Sequence, residues 1–521
     1  MQIHHYLEFW AYEAPDRILY DDGEKQSSYG EVNAAADAFA HVLVADGSAP
    51  GTRISAVATN RVEWLTLYYG TFKCGVVLVP LNARQHPREW QFQLEDAGAR
   101  MLVAQDSLIE GIEEIAPELP GLRRFVSLDG ARPGWSSLAE ELAGAPDVAL
   151  PRINDPEAEL YQLYTSGTTG RPKGAVLSHR AVNANITQSR MRQSMRDGER
   201  FLTAMPLFHA GAAVRVFNVV ACGATLRIMH KFDEAETVRI LDEEKISVAA
   251  LVPSMIQRML TVPNVADRSY PALGTIGYGA APISSSTLAR AMDVFGCSFY
   301  QAYGQTETTS SVTGLSEQDH RLARQSRPEL LLSCGRPHAG TEVEVVDDDG
   351  KPLPPGEIGE IRVRGPQMML GYWNRPEANA ETLREDGWLY TGDAGYLDAD
   401  GYLYIADRKK DMVISGGENI YPKEVEEVLY ALSGVVEAAV IGVPDERWGE
   451  VLKAFIVRSV DVDETILTAD AVIAHCRANL AGYKCPTTVE FRADLPRTAT
   501  GKVQKPVLRE PYWAGVGRQV S

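Results

Sequence analysis

The sequence is short of cysteine, of long apolar runs and of positive charge. Its six cysteines (Cys74, Cys222, Cys297, Cys334, Cys476 and Cys485) are scattered and no two are spaced as CxxC. That excludes a disulfide framework and a thiolate zinc site, and predicts free thiols in a reducing compartment. No apolar run approaches the ~20 residues of a membrane helix. The opening segment MQIHHYLEFWAYEAPDR has no basic region ahead of an apolar core, and the closing GRQVS carries no lipidation or peroxisomal signal. A cytoplasmic protein without integral membrane association is expected. Lys plus Arg number 51 against 70 Asp plus Glu, a formal net charge of -19. Such a chain repels a nucleic-acid backbone in bulk, although a local loop can still oppose that field for a small phosphorylated ligand.

What is present is enough for a large core. Hydrophobic residues make up 45% and charged residues 23% of 521, the balance of a globular protein. At roughly 150 residues per domain, about three domains are expected, or two if one is large. The first half alternates β-branched runs with amphipathic stretches. Strands are predicted at 53–59, 75–81 and 273–278, a helix at 61–73, and a strand at 247–252 leading into a helix. This alternation implies α/β layers with mostly parallel sheets. Beyond about residue 335, alternating strands at 341–347, 359–364 and 401–406 are separated by Gly, Pro and Asp turns, which predicts a small β-barrel-like subdomain or meander. From Lys423 the pattern changes again, to helices at 425–432 and 469–480 and strands at 438–442, 452–458 and 488–492. The expected organisation is a large domain over 1–406, a hinge in the charged string DRKKD at 407–411, and a separate α+β C-terminal domain over 412–521.

The most informative string is YTSGTTGRPKG at 164–174, directly after the apolar Leu160–Leu163. Its glycines, Gly167 and Gly170 among them, let successive backbone N–H groups converge on an anion. Thr165, Ser166, Thr168 and Thr169 add hydroxyl donors, and Lys173 adds a point charge. A lone Gly/Ser/Thr stretch is as readily a flexible surface loop, and the spacing is not that of a Walker A loop. The eleven-residue string as a whole resembles the signature of the adenylate-forming (AMP-binding) superfamily, in particular its acyl- and aryl-CoA synthetase branch. Further strings follow in the family's order across essentially the whole chain.

What the resemblance implies is specific. PLFHAG at 206–211 places His209 at the carboxylate site. GYGAAP at 277–282 resembles the turn that borders adenine and the acyl pocket, giving Tyr278, Gly279, Ala280 and Ala281. QAYGQTE at 301–307 gives Tyr303 and Gly304 at adenine, Thr306 at the α-phosphate and Glu307 as the Mg²⁺ ligand, a hard oxygen donor suited to that ion. YTGD at 390–393 gives Asp393 on the ribose hydroxyls, where an acceptor-only carboxylate suits two donors. Arg408 corresponds to the Arg that reaches ribose and phosphates, and Lys410 to the hinge. SGGENIYP at 415–422 resembles the loop whose glycines, here Gly416 and Gly417, border the thiol tunnel. PRTATGKVQK at 496–505 supplies the catalytic lysine, Lys502. The C-terminal domain is then a mobile lid.

The implied activity is an ATP- and Mg²⁺-dependent carboxylate–CoA ligase working through an acyl-AMP, with a fatty, aryl or alicyclic acid and CoA as co-substrate. The alternative is a stand-alone acyl-AMP ligase, or an enzyme that loads a carrier-protein phosphopantetheine. A silent nucleotide-binding protein would be expected to have lost at least one of Lys502, Glu307, Thr306, Asp393 and Arg408. A homodimer is compatible with the resemblance. In the acyl pocket, Gly211 and Arg215 are four apart on one helix face. Arg215 is expected either to meet a polar or anionic group at the distal end of the acid or to form a structural ion pair with the protein's own acidic residues.

Overall fold

The computed structural model describes residues 1–165, 172–192, 197–281, 283–408, 411–415, 418–445, 447–459, 462, 465–498 and 502–513; the side chains of Arg192 and Arg408 lie outside that description. Two large sheets and a smaller four-stranded one form the large part. One large sheet carries the strands Arg53–Val57, Val77–Leu81 and Met101–Ala104, paired in parallel. Its far side turns antiparallel, where Glu159–Thr165 pairs with Lys173–Ser178. The other carries Arg200–Thr203, Val248–Leu251, Thr275–Gly279 and Ser298–Tyr303 as parallel neighbours. The helix Glu63–Cys74 is buried at almost every position. Its Tyr68 and Phe72 pack edge-on and tilted against Tyr161 and Phe217, so the main core lies between the layers. The six cysteines are all unpaired.

Differences from the expected elements are small and have local causes. The first predicted helix starts at Glu63 rather than at 61, because Arg61 is held by Glu63 and Asp129. The residues after 335 form a four-stranded antiparallel sheet of Glu342–Val346, Gly359–Arg364, Leu389–Leu397 and Leu403–Arg408. Its last strand runs through Arg408, since Asp407 pairs with Ala394 and Arg408 with Asp393. Two residues of the expected hinge therefore belong to the ladder of the large part.

The C-terminal part has its own core around Val413, Val425, Val440, Ile456 and Cys476. A long hairpin, Val435–Asp445 with Gly449–Arg458, carries the parallel strand Thr488–Arg492 on its edge. The helices Pro422–Tyr430 and Ala469–Asn479 pack on it, and the helix Lys505–Trp513 closes the chain. Gln257 of the large part donates to the Val436 carbonyl across the boundary. No described helix is long and apolar enough to cross a membrane.

Candidate active site

The strands Glu159–Thr165 and Lys173–Ser178 bring the two ends of the glycine-rich string side by side, with Thr165 opposite Lys173 in the ladder. Ser166, Gly167, Thr168, Thr169 and Gly170 lie outside the described residues. Thr165 Oγ1 stands 3.4 Å from Glu307 Oε1, to which it donates. Tyr372 donates its hydroxyl to the same oxygen at 2.8 Å, and the Lys173 ammonium sits 5.1 Å from the Tyr372 ring centre. Glu307 is thus a buried carboxylate held by neutral hydroxyls; among the described residues no Lys or Arg pairs with it. That donor set fits Mg²⁺, which takes one or two carboxylate oxygens and completes its shell with water and phosphate. A second grouping of metal-ligand type, His4, His5 and Glu8, does not fit: the Lys73 ammonium lies 2.8 Å from Glu8 Oε1 and supplies the cation that the carboxylate would otherwise attract.

The nucleotide side is built around the end of the strand Ser298–Tyr303. Tyr303 donates to Asp393 Oδ2 at 2.7 Å, and Gln305 Nε2 donates to the same oxygen at 2.9 Å and to the Thr391 carbonyl at 2.8 Å. Burial, reinforced by Asp393, holds the Tyr303 phenol well above its usual range. Thr306 opens the short 3-10 turn Thr306–Thr308 and is half-buried. Two glycines are sterically required. A Cβ on Gly304 would lie 2.6 Å from Ser311 Cα, and one on Gly279 would lie 2.4 Å from the Ala302 carbonyl oxygen. Strain gathers here as well. Of the six described non-glycine residues with positive φ, Ala280 (68°), Thr309 (50°) and Ser310 (78°) flank this strand end. A left-handed non-glycine residue costs roughly 1–2 kcal/mol, and such outliers persist where a site requires them. Ala281 is half-buried beside them; Pro282 lies outside the described residues.

The acid side is different in kind. His209 caps the helix Ala210–Cys222, and every residue of that helix is buried except Gly211 and Arg215. These two, four apart, share the one face of the helix that is not fully buried. A Cβ on Gly211 would touch only Ser310 Oγ, at 3.7 Å. Among the described residues the His209 Nε2 is buried with no hydrogen-bond partner. An orphaned buried polar atom in a native fold calls for a partner. Burial, then the nearby charges of Lys502 and Arg84, hold the His209 imidazole down at about 4. Arg215 lies deep, with Tyr300 as an electrostatic neighbour, and burial lowers its guanidinium. Tyr278 is more committed than expected: it is buried and its hydroxyl is shared with His320 Nε2 at 2.9 Å.

Lys502 is carried by the C-terminal part. Its backbone is clipped to Thr498 by the Lys502 N–H on Thr498 Oγ1 (3.1 Å) and the Thr498 N–H on the Lys502 carbonyl (2.7 Å). Its charge adds to the lowering of the His209 imidazole, although the two residues are nearly three hundred apart in sequence. Asp393 faces Arg408 across the ladder; the Arg408 side chain, Lys410, Gly416 and Gly417 lie outside the described residues. Two contacts are not evident from the sequence strings. Tyr372 sits in a segment of ordinary composition, and only the fold brings it to Glu307; Gln305 lies within QAYGQTE, but its hold on Asp393 is a tertiary contact.

Comparison with known proteins follows the same division. Residues 7–373 match the family described as AMP-binding enzyme, and residues 424–502 match the AMP-binding enzyme C-terminal domain. The chain is 37% identical to a feruloyl-CoA synthase of an Amycolatopsis species, over 96% of each chain. It is 35% identical to a fatty acid–[acyl-carrier-protein] ligase of Streptomyces coeruleorubidus, covering 95% of this chain and 93% of the relative. It is also 36% identical to a long-chain fatty acid–CoA ligase of Mycobacterium tuberculosis, over 94% of each. The ATP-bound structure of MatB from Rhodopseudomonas palustris superposes with a TM-score of 0.89 at 31% identity, covering 99% of this chain and 100% of that one. The chain belongs to the AMP-binding enzyme family.

Proposed function

We propose that this protein is an AMP-forming carboxylate–CoA ligase that uses ATP, Mg²⁺ and CoA. The observation that carries the proposal is the pair of held carboxylates, Glu307 between the Thr165 and Tyr372 hydroxyls and Asp393 under Tyr303 and Gln305. A carboxylate resists nucleophilic attack because it is already negative. Its oxygen instead attacks the α-phosphorus of ATP; a new C–O–P linkage forms and the bond to pyrophosphate breaks. The protein supplies position and charge. Lys502 and Thr306 oppose charge at the α-phosphate, Asp393 accepts from the ribose hydroxyls, and Tyr303 with the Gly279–Ala281 turn and Gly304 borders adenine. Thr165, Ser166, Gly167, Thr168, Thr169, Gly170 and Lys173 cradle the outgoing phosphates, and Arg408 reaches ribose and phosphate. Glu307 would hold Mg²⁺, which neutralises phosphate charge when bound. His209, kept neutral by burial, orients the acid.

In the second step a thiol sulfur attacks the acyl carbonyl, the thiol proton passes to solvent, and AMP leaves with the electron pair. The domain organisation that serves this is a large domain over 1–406, a hinge over 407–411 and a lid over 412–521. The lid turns about Lys410, withdraws Lys502, and brings Gly416 and Gly417 to border the thiol tunnel. The acid pocket is bounded by His209, Gly211, Arg215, Gly279 and the neighbourhood of Tyr278, and takes a fatty, aryl or alicyclic acid. A cytoplasmic setting suits six unpaired thiols. A homodimer is the assembly to test by light scattering. A second acceptor, the phosphopantetheine of a carrier protein, is favoured by the carrier-protein ligase among the relatives.

The test is product analysis. Protein, ATP, Mg²⁺ and a panel of acids are incubated alone, with CoA, or with a phosphopantetheinylated carrier protein, and acyl products are weighed by mass spectrometry. Acyl-CoA formed only when CoA is present supports the ligase. Acyl-AMP ignored by CoA but consumed by the carrier overturns it in favour of carrier loading.

A further inference from the structure

A cluster of charged side chains sits where the large part hands over to the C-terminal part. The helix Lys505–Trp513 starts three residues after Lys502, and its Lys505 and Arg509 share a face one turn apart. The Lys505 ammonium lies 3.5 Å from Asp407 Oδ2 and 2.9 Å from Glu426 Oε1; Arg509 lies 2.8 Å from Asp411 Oδ1. These five side chains are only 9–14% exposed. Glu426 also accepts the Val440 N–H at 2.8 Å, and Asp407 the Lys423 N–H at 3.2 Å. Breaking a pair at this depth leaves an uncompensated charge, so each contact constrains how the chain can move.

The two Lys/Arg contacts with hinge acids differ in what they join. Asp407 belongs to the antiparallel ladder of the large part, opposite Ala394. Lys505 belongs to the C-terminal part, so the Asp407–Lys505 contact crosses the junction. Asp411, Arg509 and Glu426 all follow the junction and travel together. We infer that Asp407 and Lys505 are positioning residues, a latch that holds the lid in the orientation described here, the one that serves adenylation. This rests on the domain alternation proposed above. Glu426 serves the other orientation, keeping Lys505 paired when Asp407 is left behind, so the swing does not strand a buried ammonium. Asp411–Arg509 stiffens the lid without choosing its orientation.

The full-length protein tests this through its two half-reactions: acyl-AMP formation from acid and ATP, and thioester formation from supplied acyl-AMP and CoA. Asp407→Asn is expected to slow adenylation about tenfold while thioester formation holds or rises, the ratio that a shift of about 1.4 kcal/mol between two lid orientations produces. Asp407→Glu restores the ratio. Asp411→Asn lowers the melting temperature yet changes both half-reactions by one common factor. Lys505→Gln should move the ratio in the same direction as Asp407→Asn and provides the measurement if that variant folds poorly. Equal effects of Asp407→Asn and Lys505→Gln on both half-reactions would overturn the latch. A wild-type protein lacking either half-reaction would instead overturn the ligase assignment, and the latch with it.

Discussion

The nucleotide side and the acid side of the site are built by different means. On the nucleotide side, Asp393 receives hydrogen bonds from Tyr303 and Gln305, Glu307 receives them from Thr165 and Tyr372, and backbone strain at Ala280, Thr309 and Ser310 surrounds the strand end. Every part is polar, short-range and conformationally fixed. The proposed acid side consists of one helix face where Gly211 and Arg215 interrupt an otherwise buried surface, with His209, whose Nε2 meets no partner among the described residues, at its N-terminal end. Under the proposed assignment of the site, the contrast follows from the substrates. ATP never changes, so its contacts can be rigid. The acid is read by space and by one or two polar atoms, which small substitutions can alter without disturbing the chemistry.

That contrast can be broken at several points. The largest effect is expected on the nucleotide side. Glu307→Gln removes the charge that suits a divalent ion and should lower kcat/KM by about 10²-fold, near 3 kcal/mol, as for loss of one pre-organised electrostatic contact. The check is a Mg²⁺ titration of pyrophosphate release; an unchanged Mg²⁺ dependence would remove Glu307 from the metal. Gly211→Leu, by contrast, fills the space beside Ser310 and should leave small acids turning over while long or bulky ones lose roughly 10–100-fold. Comparing kcat/KM over an acid size series reads this directly, and a uniform loss across the series would mean that Gly211 does not border the acid.

Arg215→Met sharpens the same side. If the guanidinium meets the distal end of the acid, the ratio of kcat/KM for matched mono- and dicarboxylic acids should move by about tenfold. A ratio that stays fixed would make Arg215 a structural residue, held among groups such as Tyr300.

The smallest expected effect is on stability against pH. Burial first of all lowers His209 and His320 to about 4 and His179 to about 3. The unfolded chain then binds more protons than the folded one between these values and the usual 6.5. Stability is therefore complete above about pH 6.5 and declines as pH falls toward 4, by ~1.4 kcal/mol for each unit of displacement per group. Glu427 acts oppositely: burial raises it to about 7, so its contribution is present below pH 4.5 and fades as pH rises toward 7. Melting temperatures of the wild type and His209→Asn from pH 4 to 7 should show a shallower acid-side decline in the variant. Parallel curves would contradict a neutral, buried His209.

How much of this was legible in the sequence depended on where the chemistry is stored. Thr306, Glu307, Asp393 and Lys502 lie in local strings that resemble the family's strings and follow in the family's order. The alternation of strands and helices likewise exposed the α/β layers, because periodicity is a property of neighbouring residues. Lys505, Arg509 and Glu426 escaped notice because charged residues on amphipathic helices read as solvated surface; only tertiary packing brings Lys505 to Asp407 from almost a hundred positions away. The strand Leu403–Arg408 outran its expected end for a similar reason. Its last residues look like a charged turn until the pairing with Asp393 and Ala394 is seen. Arg215 was visible as an oddity in an apolar helix, but its neighbour Tyr300 on another strand was not.

The most direct test of the central claim is the behaviour of Lys502→Ala in the two half-reactions measured separately. If Lys502 is brought beside His209 to serve adenylation and is withdrawn for thioester formation, acyl-AMP formation should fall by about 10²–10³, roughly 3–4 kcal/mol. Conversion of supplied acyl-AMP and CoA to the thioester should stay near the wild-type rate. Equal loss of both half-reactions would contradict the account.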